Sequence, residues 1–223
     1  MAITKAVKKK YPNLFSPITV KGHTFRNRIV AAPNSGGPNL FMATNDGLSG
    51  FTETAALYYA QAAKGGAALV NTGHLGVDKR YTLGANKERF DFFSDDLHHH
   101  VLPVLHMMTD LIHSYGAKAS MELNHPGYRG TSVYGDKLLG TVDEVLKDGR
   151  EVRAMNLQDM EEVAGLFANA AVIAKRGGFD MVNIHAGHGW LLSNFISPLT
   201  NPRTDEFGGC AENRAKFPLL VLK

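Results

Sequence analysis

One pattern recurs along this chain: a short apolar or β-branched run, then residues at helical spacing, then glycine. Arg28 to Pro33 (RIVAAP) reads as a buried strand that Pro33 ends. Phe51 to Lys64 has helical spacing, and Gly65-Gly66 stops it. Ala67 to Thr72 is the next strand. Pro103 to Tyr115 is a helix with proline in its first turn, closed by Gly116. Ala117 to Leu123 is a third strand. Asn156 makes an N-cap with Asp159 three residues on, a capping-box variant. The helix that follows carries Met160, Val163, Leu166, Phe167, Ala170, Ile173 and Ala174 on one face and ends at Gly177-Gly178. Asp180 to His185 is a fourth strand. Strand–helix alternation of this kind dictates right-handed βαβ units and a parallel sheet, hence an α/β fold. The strands are continuously apolar, so both faces should be covered.

Two segments break the economy. Asn124 to Met155 is polar, glycine-dotted and too long for a connection. His188 to Asp205 reads as a second long loop. Both follow a strand directly, which in a (β/α)8 barrel puts them on the catalytic face. Four βα units use all 223 residues, whereas a complete barrel with such loops needs well over ~250. The chain stops within an apolar helical stretch, Phe217 to Leu222. The expectation is that residues 1–223 are about the first four units, the N-terminal half, of a longer TIM barrel, or a truncated gene product. The alternative is an open four-stranded α/β domain complete in itself.

Composition narrows the function. The chain is 44% hydrophobic and 20% charged, enough to bury a sizeable core. One cysteine excludes a disulfide scaffold and a Cys-rich zinc module. No apolar run approaches the ~18 residues that cross a bilayer. The basic start (Lys5, Lys8, Lys9, Lys10) has no apolar stretch behind it and is no secretory signal. A net charge of +3 gives little support to a nucleic-acid or membrane-surface partner. The expectation is a soluble, cytoplasmic protein of a reducing compartment.

The strongest local signal is Ile184-His185-Ala186-Gly187-His188-Gly189-Trp190, where the fourth strand becomes its loop. The small residues permit close backbone approach of a ligand. Imidazole N–H groups there would polarise a substrate carbonyl, as in an oxyanion site. The spacing is equally compatible with a metal pair, completed by His74 and His125 near other strand ends, or with structural histidines. His98, His99 and His100 read as a solvated surface, and Cys210 as an ordinary small residue. The Gly-Gly pairs make no dinucleotide fingerprint, because no G-x-G-x-x-G follows a strand.

Longer segments carry a resemblance. His185 to Phe217, with SPLTNPRTDEFGG and then ENR, resembles the signature of the old yellow enzyme family of FMN-dependent ene-reductases, especially the subgroup with 2,4-dienoyl-CoA reductase. Leu14 to Ile18 and Phe25 to Val30 resemble that family's opening hairpin and first strand. Leu123-Asn124-His125-Pro126-Gly127 resembles its stretch after strand three. The resemblance covers about residues 11–223. It implies a TIM barrel with FMN at the C-terminal face of the strands. Reduced nicotinamide, NADH or NADPH, would pass hydride to flavin, and flavin would pass it to the β-carbon of an activated alkene such as an unsaturated carbonyl. His185 and His188 would hydrogen-bond the substrate's oxygen, His185 also touching the flavin. Pro33, Asn34 and Ser35 would contact the isoalloxazine, and Gly73 would let the ring approach.

Two departures stand out. Trp190 occupies the position of the family's usual proton-donating tyrosine, and an indole is no practical acid. Glu122 replaces the usual flavin-binding glutamine; it would accept from the flavin N3–H or be protonated, or else pair with a nearby Arg or Lys. The phosphate-binding loops after strands seven and eight, and any iron–sulfur cysteines, would lie beyond residue 223. The alternative function is therefore an incomplete barrel half without independent flavin binding or catalysis. It would pair with a missing C-terminal half or assemble as a homo-oligomer. The family reading calls for no metal.

Overall fold

The computed structural model describes residues 5–34, 41–43, 49–51, 53–73, 75–83 and 101–223. The main elements in chain order are β1 (Val30–Ala31), α1 (Glu53–Lys64), β2 (Leu69–Asn71), α2 (Leu102–Ser114), β3 (Lys118–Asn124), α3 (Leu157–Arg176), β4 (Met181–Ile184), α4 (Leu191–Ile196) and α5 (Ala211–Val221). The chain divides into two units. One holds Met1–His74, Asp91–Glu122 and Val172–Asn183; the other holds Leu75–Phe90, Leu123–Ala171 and Ile184–Lys223.

The first unit is built on a sheet in which β1, β2, β3 and β4 lie side by side in chain order. β1 and β2 are parallel, with Val30 opposite Leu69, and β2 and β3 are parallel, with Val70 opposite Ala119. A helix connects each of these parallel pairs, as their direction demands. β1 is shorter than the apolar run predicts. The Arg28 N–H leaves the ladder for the Leu14 carbonyl at 2.9 Å, and Pro33 has no N–H to give. An antiparallel hairpin, Ile18–Val20 with His23–Phe25, precedes it. Its turn runs through Lys21 and Gly22 at φ 45° and 84°.

α1 starts at Glu53 rather than Phe51, because Phe51 pairs with Phe41 in a short hairpin. Its buried face is Ala55, Ala56, Tyr59, Ala60 and Ala63, and this mostly small face packs on α2 through Leu105, Met108 and Ile112. Gly177 and Gly178 do more than stop α3. A Cβ at Gly177 would lie 2.8 Å from the Leu105 side chain, and one at Gly178 2.5 Å from Thr109 Oγ1. Thr109 in turn donates to the Gly177 carbonyl at 2.9 Å. Below the sheet, Arg26 donates to the carbonyls of Ala63, Ala67 and Tyr115, satisfying the ends of α1 and α2. Asp180 accepts from Lys118 Nζ at 2.7 Å, from the Ala119 N–H at 2.9 Å and from His113 at 2.7 Å.

In the second unit the polar stretch after β3 forms structure of its own. Leu138–Gly140 runs parallel to Glu151–Ala154, and Glu144–Val145 runs antiparallel to it. Gly130–Ser132 pairs with Tyr81–Leu83. The capping box at α3 is reciprocal: the Asp159 N–H donates to Asn156 Oδ1 at 2.9 Å, and the Asn156 N–H to Asp159 Oδ2 at 2.8 Å. The segment 188–205 is not all loop, for it contains α4. Leu191, Leu192 and Phe195 are buried there, and Phe195 meets Phe217 of α5 edge-on at 4.8 Å. The conspicuous SPLTNPRTDEFGG run is tied down by side chains that donate to main-chain carbonyls. Asn201 Nδ2 donates to the carbonyls of Phe195 and Phe207, both at 2.8 Å. Arg203 donates to the carbonyls of Thr141 and Met155, and Arg214 to those of Ile196 and Gly209. These two guanidinium groups hold the loop and the start of α5 in place. Among the described residues no helix is long and apolar enough to cross a membrane.

Candidate functional site

Two side-chain clusters sit at strand ends, one in each unit. In the first unit the key group is Tyr59, which sequence reasoning missed. Its hydroxyl donates to the Asn34 carbonyl at 2.8 Å and accepts from the Gly73 N–H at 2.7 Å. One side chain on α1 thus fixes the backbone after β1 and after β2. Burial pushes the Tyr59 phenol up to about 12, against the pull of the Gly73 N–H, so it stays protonated. Of the residues assigned to flavin contact, Pro33, Asn34 and Gly73 belong to these two strand ends, while Ser35 lies outside the described residues. Glu122 is 5% exposed near the end of β3 and accepts from Asn183 Nδ2 of β4 at 3.2 Å. The sequence leaves open whether Glu122 accepts from a flavin N–H, is protonated or pairs with an Arg or Lys; the structure adds an amide donor on the neighbouring strand. Thr72 Oγ1, beside Gly73, is buried without a hydrogen-bond partner among the described residues. Polar residues inside otherwise apolar strands, Asn71, Thr72, Glu122 and Asn183, were the available signal for this cluster.

In the second unit His185 follows β4, and its N–H donates to the Leu123 carbonyl at 2.9 Å. The chain then turns sharply. His188 has φ 58°, a left-handed conformation rare outside glycine, and Gly189 follows at 75°. That turn folds the histidines onto each other: the rings stack at 5.0 Å, and His188 Nδ1 lies 3.2 Å from His185 Nε2. Trp190 meets His185 edge-on at 6.3 Å. The three residues predicted to act together are together. When both imidazoles are neutral they carry two N–H groups, and their mutual bond uses one. When His185 donates its Nε2–H to His188 Nδ1, the neutral His188 ring carries its own N–H on Nε2, which suits a ligand oxygen.

Below this turn lies a buried network. His125 has both nitrogens engaged: Nδ1 accepts from the Gly127 N–H at 3.1 Å, which leaves Nε2–H to donate to Asp78 at 3.3 Å. Its saturation removes it from a metal-ligand role. Arg80 makes a bidentate pair with Asp78, with contacts of 2.7 to 3.1 Å. Burial pushes the Asp78 carboxyl up, but His125 and Arg80 together hold it well below the usual carboxylate range. The His125 carbonyl receives the Leu191 N–H at 3.1 Å, fixing the start of α4. His74 and His98 to His100 lie outside the described residues. Among those described, no group of three or more His, Cys, Asp or Glu is placed to hold a metal ion.

Residues 13–223 match the model of the NADH:flavin oxidoreductase / NADH oxidase family. The chain is 32% identical over 220 residues to the NADH oxidase of Thermoanaerobacter brockii, covering 96% of this chain and 32% of that protein. Histamine dehydrogenase from Rhizobium sp. 4-9 superposes with a TM-score of 0.79 at 28% identity, covering 96% of this chain and 30% of that one. The old yellow enzyme homologue from Zymomonas mobilis gives 0.75 at 30% identity, covering 94% and 58%. The chain thus spans about a third of the length of the curated relative it matches.

Proposed function

The chain belongs to the NADH:flavin oxidoreductase / NADH oxidase family, and from that premise we propose that it serves an FMN-dependent oxidoreductase that moves hydride from NADH or NADPH to an activated carbon–carbon double bond. In this reading the four strands, neighbours in chain order, are the first four βα units of a TIM barrel. The order supports a barrel because a doubly wound sheet reverses strand order at a switch point. The observation that carries the function is the His185–His188 pair, stacked on a left-handed turn after β4.

The residues of the first unit fit a flavin ring by donor and acceptor type. The buried Glu122 carboxylate offers an acceptor for a ring N–H, Thr72 an unpaired hydroxyl, and Gly73 a backbone without a side chain. Bound FMN would supply the hydride chemistry. Asn183 orients Glu122, and Tyr59 fixes the backbone at Asn34 and Gly73. The histidine pair donates its remaining N–H to the substrate's electron-withdrawing oxygen, stabilising the negative charge that develops there. Trp190 stands against His185 with an indole N–H that can donate a hydrogen bond but is no practical acid, and the proton for the α-carbon comes from water or another group.

Two measurements test this. Incubation with FMN, removal of free flavin and a visible spectrum should show retained flavin that NADH or NADPH bleaches anaerobically. A folded but colourless protein supports the alternative, a barrel portion without independent flavin binding. In flavin-loaded protein, His185→Ala with His188→Ala should abolish binding of phenol-type ligands while flavin stays; unchanged ligand affinity would remove the histidines from the substrate site.

A further inference from the structure

Arg129 lies against the turn that carries the histidine pair, in the second unit, and no role above uses it. It closes the short helical turn Gly127–Arg129 after β3. Its guanidinium rests on Gly189: a Cβ there would stand 2.7 Å from Nε and 3.0 Å from Nη2. Gly189 is flanked by His188 and Trp190, so a fixed positive charge sits one residue from the imidazole pair. The side chain is exposed, and among the described residues its guanidinium has no hydrogen-bond or ion-pair partner. The chain's other well-placed arginines contrast with it. Arg26, Arg80, Arg150, Arg153, Arg203 and Arg214 are all spent on carboxylates or main-chain carbonyls.

We infer that Arg129 is a specificity-determining residue that receives an oxyanion of the ligand held by His185 and His188, and that the substrate carries a carboxylate. The inference rests on the proposed role of the histidine pair and adds to it a substrate class. A guanidinium fork matches a carboxylate through two parallel N–H bonds, and such charge-assisted pairs are the strong ones. The glycine at position 189 is what admits the fork, because any side chain would occupy its place. With Arg129 against Gly189, the residue next to His188, an unsaturated acid would bind with its carboxylate toward the guanidinium. A neutral carbonyl would use the histidines alone. Phosphate shares the chemistry, so a nicotinamide dinucleotide is the other source of an oxyanion.

The test is calorimetric titration of the flavin-loaded protein with 4-hydroxybenzoate and with its neutral isostere 4-hydroxybenzamide, in the native protein and in Arg129→Gln and Arg129→Lys. The native protein should bind the acid about tenfold or more tightly than the amide. Arg129→Gln should erase that preference and leave the amide unchanged, and Arg129→Lys should restore part of it. Equal affinity for acid and amide in the native protein overturns the inference while leaving the histidine reading intact. An acid preference that survives Arg129→Gln does the same. Failure of both probes to bind overturns both. If Arg129→Gln weakens NADH or NADPH but keeps the acid preference, the guanidinium belongs to the dinucleotide phosphate and the carboxylate assignment falls.

Discussion

Tyr59 carries two hydrogen bonds on one oxygen, and both ends are main chain. Tyr59→Phe keeps the ring in its buried place and removes only the hydroxyl, leaving the Gly73 N–H without its acceptor. The expected cost is about 1–3 kcal/mol, the penalty for an unmet buried donor, read as a shift in urea midpoint at constant slope. The pH dependence follows from the same group. The unfolded phenol ionises near ~10, while burial holds the folded one up to about 12. Stability from Tyr59 is therefore present below ~10 and lost as pH rises toward the folded value. In Tyr59→Phe that alkaline fall should flatten; an identical fall in both proteins would assign it elsewhere. Trp190 makes a second prediction. Its ring edge faces His185, so Trp190→Tyr would bring a phenolic proton to the imidazole pair. Reoxidation of the reduced flavoprotein by a simple enone should then speed up, as stopped-flow absorbance would show. An unchanged rate would mean that the proton arrives by another route.

Elements are joined by buried charges that no spacing rule could reveal. Asp78 follows the Leu75–Gly76 strand, His125 follows β3, and Arg80 reaches on to Glu162 of α3 at 2.8 Å. Asp78→Ala would leave Arg80 half-buried without its bidentate partner and His125 without its acceptor. Breaking one member of such a pair costs about 3–5 kcal/mol, and thermal unfolding should show it. Acid acts on the same link. The folded Asp78 carboxyl titrates well below its unfolded value, and Asp180, against burial, is lowered by Lys118, the Ala119 N–H and His113. As pH falls below ~4 the unfolded chain takes up these protons first. Stability is then full above that range and drains as pH approaches the folded values. Asp78→Asn should be less stable at neutral pH and show a shallower acid loss. Parallel curves for the two proteins would remove Asp78 from the acid response.

At the scale of the whole chain, what was legible in the sequence was what period and punctuation encode. The strands and long helices of the βαβ pattern lie within a few residues of their predicted places, and the Asn156–Asp159 cap formed as read. The inserted strands of 130–154 were not legible, because two to four residues carry no measurable period. α4 escaped because it is six residues long and begins without a side-chain cap. His185, His188 and Trp190 were visible as polar and aromatic residues among small ones, whereas Tyr59 and Arg129 owe their roles to neighbours distant in sequence. That division bears on flavin binding. The side chains here that suit the ring are Glu122, Thr72 and Asn183, while the family resemblance assigns the phosphate to loops after later strands. On that reading the residues proposed above contact the ring, and none of them is assigned to the phosphate. Ligand at about a hundred times its Kd stabilises by ~2.7 kcal/mol, which for a domain of this size raises Tm by roughly 5–10 °C. FMN and riboflavin should then raise Tm equally, and Glu122→Gln, which keeps an acceptor on the side chain, should respond like the native protein. A far larger shift with FMN would place a phosphate anchor within these 223 residues. No shift with either ligand would mean that the strand-end cluster of the first unit does not hold the ring by itself.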